Sequence, residues 1–381
     1  MDIKKAMLFL CLAVGFAGCG TGGDEVETVW EDGVEVVLNR DTPARISAGS
    51  SPVGLMEEWV IDLERKEVYE TGLYSIDTFS VDAGGFVYVI SLQSKGHHIF
   101  KFGPDGRFER SFGQHGRGPG ELAAPFTVIE NAEGELVVTD RDNAKLVHFD
   151  KEGGVIREIP LNRNIPYAHP LPNGKYIVFG RMQPDLDAKF LQYPLELCDE
   201  NLEPVKVLDT FKMENFRLTR RLQGTMPGFG LTVGGGKIYI GNEARGYEIR
   251  VFDSEGALVR KIRKAFIPEP VDDDLKEKIL TRYNENVRPM IYFPETLPPF
   301  RTMAADEFGS LYVTTFEKGR HPDHNRIDVF NPEGELIGVL SASVLVDTNS
   351  PINTIARNGR FYHVRETESG FKQLVTQKIL F

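Results

Sequence analysis

A short apolar run that follows a glycine recurs six times along this chain of 381 residues. The six copies are Gly85-Phe-Val-Tyr-Val, Gly134-Glu-Leu-Val-Val, Gly174-Lys-Tyr-Ile-Val, Gly236-Lys-Ile-Tyr-Ile, Gly309-Ser-Leu-Tyr-Val and Gly359-Arg-Phe-Tyr-His. Runs rich in β-branched and aromatic residues predict strands, and the glycine before each run predicts a turn. A β-rich unit that recurs about every 40 to 50 residues is typical of propeller blades. The pattern therefore predicts a propeller.

A second repeat runs in phase with the first and predicts a hairpin turn in most of the units. Four units have a phenylalanine four residues before a glycine, with an acidic residue just ahead of that glycine. The pairs are Phe102 and Gly106, Phe149 and Gly153, Phe252 and Gly256, and Phe330 and Gly334. Such a turn needs a positive φ at its last position. In the third unit Cys198 replaces the phenylalanine, and we expect Asn201 to supply the positive φ.

Each unit holds four short strands, so the six units predict an all-β fold, a six-bladed β-propeller of four-stranded antiparallel blades. An open propeller has unpaired edges, so a further strand must close the ring. The run Glu58-Trp-Val-Ile-Asp-Leu63 is the expected closing strand. A seventh blade from residues 29–70 is the alternative, but that stretch lacks the glycine phrase. We predict one propeller domain over residues 29–381, with a helical insertion at 265–300 between blades 4 and 5.

The insertion is the main departure from a plain ring of blades. Asp272 begins a helix-like segment with acidic residues in its first turn, which suits the positive end of a helix. One apolar stripe follows at helical spacing, and Pro289 ends it. The stripe consists of Leu275, Ile279, Leu280, Tyr283 and Val287. We expect the insertion on the loop-rich face, either as a lid over the channel mouth or packed permanently on blades 4 and 5.

The N-terminus predicts export and lipidation. Lys4 and Lys5 precede an apolar run that is too short to span a membrane, and small residues then lead to Cys19. A cysteine in this position resembles the bacterial lipobox, so residues 1–18 are a predicted lipoprotein signal peptide and Cys19 the lipidated residue. Residues 19–28 are a flexible tether. The protein would then lie in the cell envelope, anchored to a bacterial membrane on its periplasmic side or at the cell surface. An ordinary signal peptide is the alternative.

The charge and cysteine content exclude several classes of partner. A net charge of −12 argues against nucleic acid and against anionic membranes bound through the bulk surface. Contact with a membrane is therefore expected through the lipid anchor only. Of the three cysteines, only Cys198 lies in the predicted propeller, so no intramolecular disulfide is expected and Cys198 is predicted to be buried.

Two phrases are similar to those of known propellers. The segment 140–150, Asp-Arg-Asp-Asn-Ala-Lys-Leu-Val-His-Phe-Asp, resembles the NHL repeat. The segment 112–122, Phe-Gly-Gln-His-Gly-Arg-Gly-Pro-Gly-Glu-Leu, resembles a linker of bacterial six-bladed propeller lipoproteins. Together they indicate a likeness, over residues 57–381, to the bacterial six-bladed lipoproteins of the NHL-repeat-like family. The resemblance implies the fold and little about function, because such propellers serve binding, scaffolding and catalysis alike.

One face of the predicted propeller carries many basic residues. In a propeller, the connections between blades and the loops between second and third strands open on the same face around the channel. Arginines there, on an acidic protein, predict an anionic ligand such as a carboxylate or an anionic sugar. The predicted ligand-binding residues are His97, Arg117, Arg141, Arg181, Arg245, Tyr292 and Arg320. The alternative is that these arginines pair with neighbouring acids and bind no ligand.

The predicted function is binding of this ligand, or of a protein partner, without a cofactor or catalytic residues. His321 and His324 are the candidate metal ligands, but two histidines fall short of the three or four ligands that zinc needs. The alternative is a metal-dependent hydrolase or lyase, lactonase-like or NHL-lyase-like, that holds calcium or zinc in the central channel. Acid and amide side chains near the channel are Glu130, Asn131, Asp306 and Asn353.

Overall fold

The computed structural model of the chain describes residues 26–43, 54–161, 165, 167–179, 188–225, 228–281, 283–345 and 354–381. Cys19, Arg181, Asn353 and the predicted signal segment lie outside the described residues. The described chain forms six blades, each built on a four-stranded antiparallel meander, and one further sheet of two short strands. The predicted six-bladed β-propeller is confirmed.

The first half of the chain forms three blades, each of four strands consecutive in sequence. Before them come β1 (Glu27–Glu31), β2 (Val34–Asn39), β3 (Gly54–Asp62) and the one-turn helix α1 (Lys66–Tyr69). Blade 1 contains β4 (Thr78–Val81), β5 (Val87–Ile90), β6 (His97–Phe102) and β7 (Phe108–Gln114). Blade 2 contains β8 (Pro125–Glu130), β9 (Leu136–Asp140), β10 (Lys145–Phe149) and β11 (Val155–Pro160). Blade 3 contains β12 (Tyr167–Pro170), β13 (Tyr176–Phe179), β14 (Phe190–Cys198) and β15 (Pro204–Glu214).

The second half forms the other three blades and the two longest connections between blades. Blade 3 is followed by α2 (Phe216–Thr219) and β16 (Leu222–Gln223). Blade 4 contains β17 (Phe229–Gly234), β18 (Lys237–Asn242), β19 (Glu248–Asp253) and β20 (Leu258–Lys264). The insertion contains α3 (Asp273–Leu280) and β21 (Ile291–Tyr292). Blade 5 contains β22 (Thr302–Ala305), β23 (Leu311–Lys318), β24 (Asn325–Phe330) and β25 (Leu336–Ala342). Blade 6 contains β26 (Thr354–Arg357), β27 (Arg360–Glu366), β28 (Lys372–Leu380) and β3.

Six clusters of buried apolar side chains hold the ring together, one between each pair of neighbouring blades. The repeated phenylalanines are part of these clusters. They are Phe102, Phe149, Phe252 and Phe330, each exposed by 4% or less. Both faces of a blade are covered by neighbours, so its inner strands are apolar on both sides. This explains why the glycine phrases continue into unbroken apolar runs rather than alternating ones.

The third unit departs from the predicted turn. The residue with a positive φ is Leu202, at +63°, and not Asn201 as expected. Counting from Cys198, Leu202 occupies the position of the repeated glycine, and its backbone N–H donates to the carbonyl of Asp199 at 3.0 Å. The Leu202 side chain is buried in the cluster that also contains Cys198. Burial of an apolar side chain offsets the backbone strain, which is how a leucine can hold this position.

The ring is closed by the N-terminal strand β3, which pairs antiparallel with β28. Leu374 of β28 lies opposite Ile61 of β3, and both belong to the cluster between blades 6 and 1. The predicted closing strand is therefore confirmed. Because the last blade combines β3, which precedes blade 1 in sequence, with the three C-terminal strands, the ring is joined by a ladder of backbone hydrogen bonds.

The first hairpin extends blade 4 instead of starting a seventh blade. Strand β2 runs parallel to β20 at the outer edge of the blade, and β1 pairs with β2. Ion pairs hold the added strands, among them Glu31 to Arg263 at 2.5 Å and to Lys261 at 2.9 Å. Hydrogen bonds from Arg263 and then Lys261 lower the pKa of Glu31 to about 2. Blade 4 thus has six strands, and this hairpin covers its outer edge.

The insertion contains a shorter helix than the apolar stripe predicts. Asp272 caps α3, and its carboxylate accepts from the Leu275 N–H at 2.8 Å. The helix ends at Leu280, and its apolar residues are half-buried. Further along, β21 pairs in parallel with β16, so the insertion is tied to the preceding connection between blades 3 and 4. Among the described helices, none has the length and apolar character needed to cross a membrane.

Candidate functional site

The loops of the propeller divide between two faces. We call the connector face the one formed by connections between blades and by loops between second and third strands. Its described segments include 63–77, 91–96, 115–124, 141–144, 215–225, 243–247, 265–281, 283–301, 319–324 and 367–371. The turn face carries the turns between first and second strands and between third and fourth strands. Each candidate side chain can be assigned to one of these two faces or to the channel between them.

Asp140, in the phrase that resembles the NHL repeat, has a structural part on the connector face. Its carboxylate accepts the N–H groups of Ala123 and Ala124, both at 2.9 Å, and the side-chain amide of Asn143 at 2.7 Å. Asp140 is fully buried. It therefore fixes the connection between blades 1 and 2.

The predicted ligand-binding residues that the structure describes lie in or beside connector-face loops of different blades. Arg117 is exposed and forms no ion pair with a described residue. His97 has its Nδ1 2.8 Å from the Ser111 hydroxyl. The exposed Arg320 lies on the loop of blade 5, where its backbone N–H donates to Ser341 at 2.9 Å. Arg181 lies outside the described residues.

Two of the predicted arginines have acidic partners. Arg245 donates to both oxygens of Asp209, at 3.2 and 2.5 Å, and lies 3.4 Å from Glu248. Arg141 is 3.1 Å from the neighbouring Asp142, and both side chains are about half exposed. The bidentate ion pair with Asp209 occupies the Arg245 guanidinium and holds the loop of blade 4 to β15. The exposed pair of Arg141 contributes little and leaves its side chain available.

The candidate metal ligands meet each other without further ligands. The His321 and His324 rings are 4.9 Å apart, and His324 Nδ1 lies 3.2 Å from the Ser341 hydroxyl. Among the described residues, no group of three or more histidine, cysteine, aspartate or glutamate side chains is placed to hold a metal ion.

The tied connections between blades 3 and 4 and between blades 4 and 5 carry the densest group of unpaired cations. We call this group the arginine ledge: Arg217, Arg220 and Arg221, together with Tyr292 and Glu214. All three arginines are exposed and form no ion pair with a described residue. The Arg221 guanidinium lies over the Tyr292 ring, 4.2 Å from its centroid. Tyr292 is one of the predicted ligand-binding residues, whereas the three arginines of the ledge are not.

Local sequence signals explain how the ledge is built. The Asn215 side chain caps α2 by accepting from the Arg217 N–H at 3.2 Å. Arg220 ends the helix in the left-handed region, at φ +52°, which turns the chain toward β16. A side chain at Gly224 would meet the Phe293 ring at 2.5 Å. The lack of a side chain at Gly224 therefore allows the connection to pack closely against the insertion.

The ledge also contains acceptors. The Tyr292 hydroxyl donates to the Gln223 side chain at 3.3 Å. Burial, followed by the negative charge of Glu214, raises the pKa of Tyr292, so the phenol is neutral at physiological pH. One carboxylate oxygen of Glu214, Oε2, is shielded from solvent, and a hydrogen bond between Glu214 and the Tyr292 hydroxyl contributes to the raised pKa of Tyr292. The ledge therefore combines guanidinium donors with the carboxylate of Glu214.

A cavity of about 390 Å³ occupies the central channel. All six first strands, from β4 to β26, contribute to its wall. The lining continues through the turns that follow those strands, including Asn131, Pro172 and Glu307, so the cavity lies toward the turn face. A cavity of this volume is large enough for a small molecule. The ledge is on the opposite face of the ring.

Two polar residues of β12 share one side of this cavity. Tyr167 and His169 are two positions apart on a strand, so their side chains point the same way. The Tyr167 hydroxyl lies 3.1 Å from His169 Nδ1. Burial lowers the pKa of His169 to about 4 and raises that of Tyr167. Both groups are therefore neutral at physiological pH, and they share one hydrogen bond.

Buried histidines predict a loss of stability in acid. Burial lowers the pKa of His363 to about 4, whereas the ordinary value is 6.5. Between pH 6.5 and 4 the unfolded chain therefore binds a proton at this residue that the folded chain does not, so stability falls as the pH falls. The unfolding free energy of the unaltered protein should fall between pH 7 and pH 4.5. We expect this fall to be smaller by roughly 2 kcal/mol in His363→Gln. Urea unfolding of both proteins at several pH values measures this, and equal decreases would contradict it.

A family model agrees with the fold. DUF5128, described as a 6-bladed β-propeller, matches residues 60–219, which is less than half of the chain. Among proteins of curated function, none matches the sequence significantly. The match covers blades 1 to 3 and the closing strand's end, and it supports the six-bladed architecture independently of the sheet topology.

Solved structures give the same result at the level of the fold. A protein from Bacteroides fragilis that is described as exported is 12% identical, with a TM-score of 0.51 over 91% of this chain and 100% of that chain. A DUF4221 member from Bacteroides vulgatus is 12% identical, with a TM-score of 0.50 over 87% and 99%. Virginiamycin B lyase from Staphylococcus aureus reaches 0.43 at 13% identity, over 85% and 99%. Identities this low indicate a shared fold alone. The chain is thus a six-bladed β-propeller, similar to DUF5128 proteins and to the two Bacteroides structures.

Proposed function

We propose that this protein is a lipid-anchored propeller of the cell envelope that binds an anionic sugar on the arginine ledge. The N-terminal sequence supports the placement, because a short signal segment leads to Cys19. The Bacteroides fragilis protein of the same fold is described as exported, which accords with this location. The anchor would hold the propeller at a membrane and leave its connector face free to meet solutes.

The observation that carries the proposal is the group of three unpaired arginines on an acidic protein. With a net charge of −12, carboxylates are available to pair with most cations, and Arg245, Arg260, Arg263 and Arg326 all have such partners. Arg217, Arg220 and Arg221 follow one another within five residues and have none among the described residues. Mutual repulsion of exposed guanidinium groups is relieved when an anion binds between them.

The ledge favours a ligand with both an anionic group and hydroxyl groups. Stacking on Tyr292 holds the Arg221 guanidinium plane in place, and its N–H edge stays available for a planar carboxylate or a sulfate. The Glu214 carboxylate beside Tyr292 is an acceptor for a hydroxyl of the ligand. A sugar acid combines these two features in one compact molecule. A simple inorganic anion satisfies only the arginines.

The residues predicted from sequence take different places in this proposal. Tyr292 is part of the ledge, and Arg117, His97 and Arg320 stay predicted secondary contacts on the same face. Arg141 could be released from Asp142 by a ligand, whereas Arg245 is held by Asp209. The alternative of a metal-dependent hydrolase or lyase has no comparable supporting observation among the described residues.

Removal of Arg221 tests the proposal. We expect Arg221→Ala to weaken the binding of digalacturonate at least about 10-fold, since a hydrogen bond to a charged group contributes about 1.5–3 kcal/mol. Isothermal titration calorimetry measures the affinity, with neutral lactose as the ligand control. The unfolding free energy should change by less than about 0.5 kcal/mol, because the side chain is exposed.

Arg107→Ala is the matched control variant. Arg107 is an exposed arginine on the turn face, so its removal changes the net charge equally but leaves the ledge intact. We expect Arg107→Ala to bind digalacturonate like the unaltered protein. Equal weakening by both substitutions would mean that only the overall charge matters. Equal affinity of lactose and digalacturonate would refute recognition of the carboxylate.

A further inference from the structure

The first strands of blades 3 and 4 border the channel cavity on one side. Around the described ring, β12 of blade 3 and β17 of blade 4 lie farther apart than most neighbouring first strands, although the two blades share a buried apolar cluster. The wall at this gap is formed by Tyr167 and His169 on one side and by Leu231 and Val233 on the other. The apolar side chains of β17 are only half-buried there.

Glycines of β17 explain the gap. A side chain at Gly230 would meet Met303 at 2.5 Å, and one at Gly234 would meet the Asp306 carbonyl oxygen at 2.4 Å. Both contacts are with blade 5, so β17 packs against β22 more closely than a strand with side chains could. Close approach on this side draws β17 away from β12, on the other side. The cavity therefore follows from the placement of glycines in one strand.

The polar pair of β12 presents a single donor to this space. Tyr167 has one hydroxyl proton, and its partner at 3.1 Å is His169 Nδ1. A neutral imidazole that accepts at Nδ1 has its proton on Nε2. His169 lines the cavity, is half-buried, and its Nε2 forms no hydrogen bond with a described residue. We assign the phenol as the donor of the shared hydrogen bond, which places the imidazole proton on Nε2, where a bound molecule can accept it.

The acidic side chains at the cavity wall accept hydrogen bonds or ion pairs from neighbouring residues. Glu130 lies 2.7 Å from Lys151 and 3.3 Å from Arg357. Asp306 accepts from the N–H groups of its own turn at 2.9 and 2.8 Å. Glu307 accepts from the Asn358 N–H at 3.0 Å. The remaining wall is mainly apolar, which disfavours a charged occupant.

From these observations we propose that the channel cavity is a second binding site, for a compact neutral molecule with a carbonyl or ether oxygen. The oxygen accepts the hydrogen of His169 Nε2, and the apolar body of the molecule packs on Leu231, Val233 and Met303. This site is independent of the arginine ledge, because it lies toward the opposite face and takes a ligand of different charge.

Three six-membered-ring probes of equal size and different charge test the site: cyclohexanone, cyclohexanecarboxylate and cyclohexylammonium. The readout is the methyl NMR spectrum of the full chain labelled at methionine. Met303 reports on the cavity, and Met290, which precedes β21, reports on the ledge. We expect cyclohexanone to shift the Met303 signal saturably with a Kd of about 1 mM, as suits a ligand of so few atoms. The two charged probes should bind at least about 10-fold more weakly.

Two variants distinguish the contribution of the His169 hydrogen-bond donor from that of the cavity volume. His169→Phe keeps a ring of similar size but removes the donor, and we expect affinity for cyclohexanone to fall about 5-fold or more. Val233→Phe fills the cavity while keeping His169, and we expect no saturable shift of Met303. Thermal unfolding establishes that both variants are folded. The proposal fails if Met303 does not respond to cyclohexanone, if the charged probes bind equally well, or if both variants bind like the unaltered protein. Shifts confined to Met290 would overturn the channel site and leave the ledge proposal standing.

Discussion

Replacing Ile61 by alanine is expected to lower the free energy of unfolding by about 3 kcal/mol. Ile61 lies on the closing strand β3, is 1% exposed, and belongs to the cluster between blades 6 and 1. Its removal leaves a cavity at the seam where β3 meets the C-terminal strand β28. The strand crosses only one seam, but every blade depends on that seam, since an open ring exposes two sheet edges. Chemical unfolding followed by circular dichroism measures the change.

Met56→Ala is the control on the same strand. Met56 pairs with Lys378 of β28 but is 48% exposed, so its loss removes little buried surface. We expect a change below about 0.5 kcal/mol. A similar loss for both substitutions would indicate that the propensity of the strand, and not its core contacts, controls closure. A negligible effect of Ile61→Ala would show that the ring holds without this contact.

Much of the fold was predictable because its repeated units obey local rules. A turn with positive φ requires a glycine, and the core between blades requires a large apolar side chain at a fixed distance from it. Gly153 and Phe149 show both requirements, since a side chain at Gly153 would also meet Phe112 of the preceding blade at 2.5 Å. The third unit departs from this pattern. Its Leu202 is buried at the position where the other repeated turns have a glycine, and no local sequence rule indicates this exchange.

The first hairpin was not predictable for a different reason. The pattern of β1 and β2 predicts strands, but pairing with β20 joins segments more than 200 residues apart. Alternating side chains do not identify a partner strand at that distance, and edge strands of several blades offered equivalent hydrogen bonds. The ion pairs of Glu31 and Glu35 with Arg263 and Arg260 give specificity to this edge.

For the candidate site, the face of the propeller that carries the ledge was easier to predict from the sequence than the individual residues of the ledge. Arg245 was predicted to bind a ligand, but Asp209, 36 positions earlier in sequence, meets it across blades 3 and 4. Only the structure shows such a pair. The signal for the ledge was present in the run Arg217 to Arg221, which follows a helix cap and has no acid within it. The alternation of Tyr167 and His169 at the start of a strand was a second readable signal, and it pointed to the channel.

The ledge and the channel cavity share one structural cause. Both involve the chain around β17: β16 leads into it from the ledge, and its glycines leave the channel open toward β12. The insertion packs against β16, and blade 5 packs against β17. These two contacts therefore act on neighbouring parts of one segment. A substitution that moves β17 should change the shape of the cavity before it changes the ledge, because β17 itself forms part of the cavity wall.

Gly235→Ala is expected to be such a substitution, with a loss of about 3 kcal/mol in the free energy of unfolding. Gly235 and Gly236 form the two-residue turn between β17 and β18, with φ of +55° and +70°, as a type I′ turn requires. A side chain at Gly235 would lie 2.7 Å from the backbone of Gly309 in blade 5. Backbone strain of about 1 kcal/mol therefore adds to a clash that costs about 1–3 kcal/mol.

Gly236→Ala separates these two contributions. Its φ is also positive, but a side chain there meets nothing within 4 Å, so only the strain of about 1 kcal/mol is expected. Chemical unfolding of the two variants measures the difference, and equal losses would show that blade 5 yields to the added methyl group without cost. A selective loss at Gly235 would mean that the close contact of blades 4 and 5 is rigid. That rigidity is what keeps β17 away from β12 and the channel open beside His169.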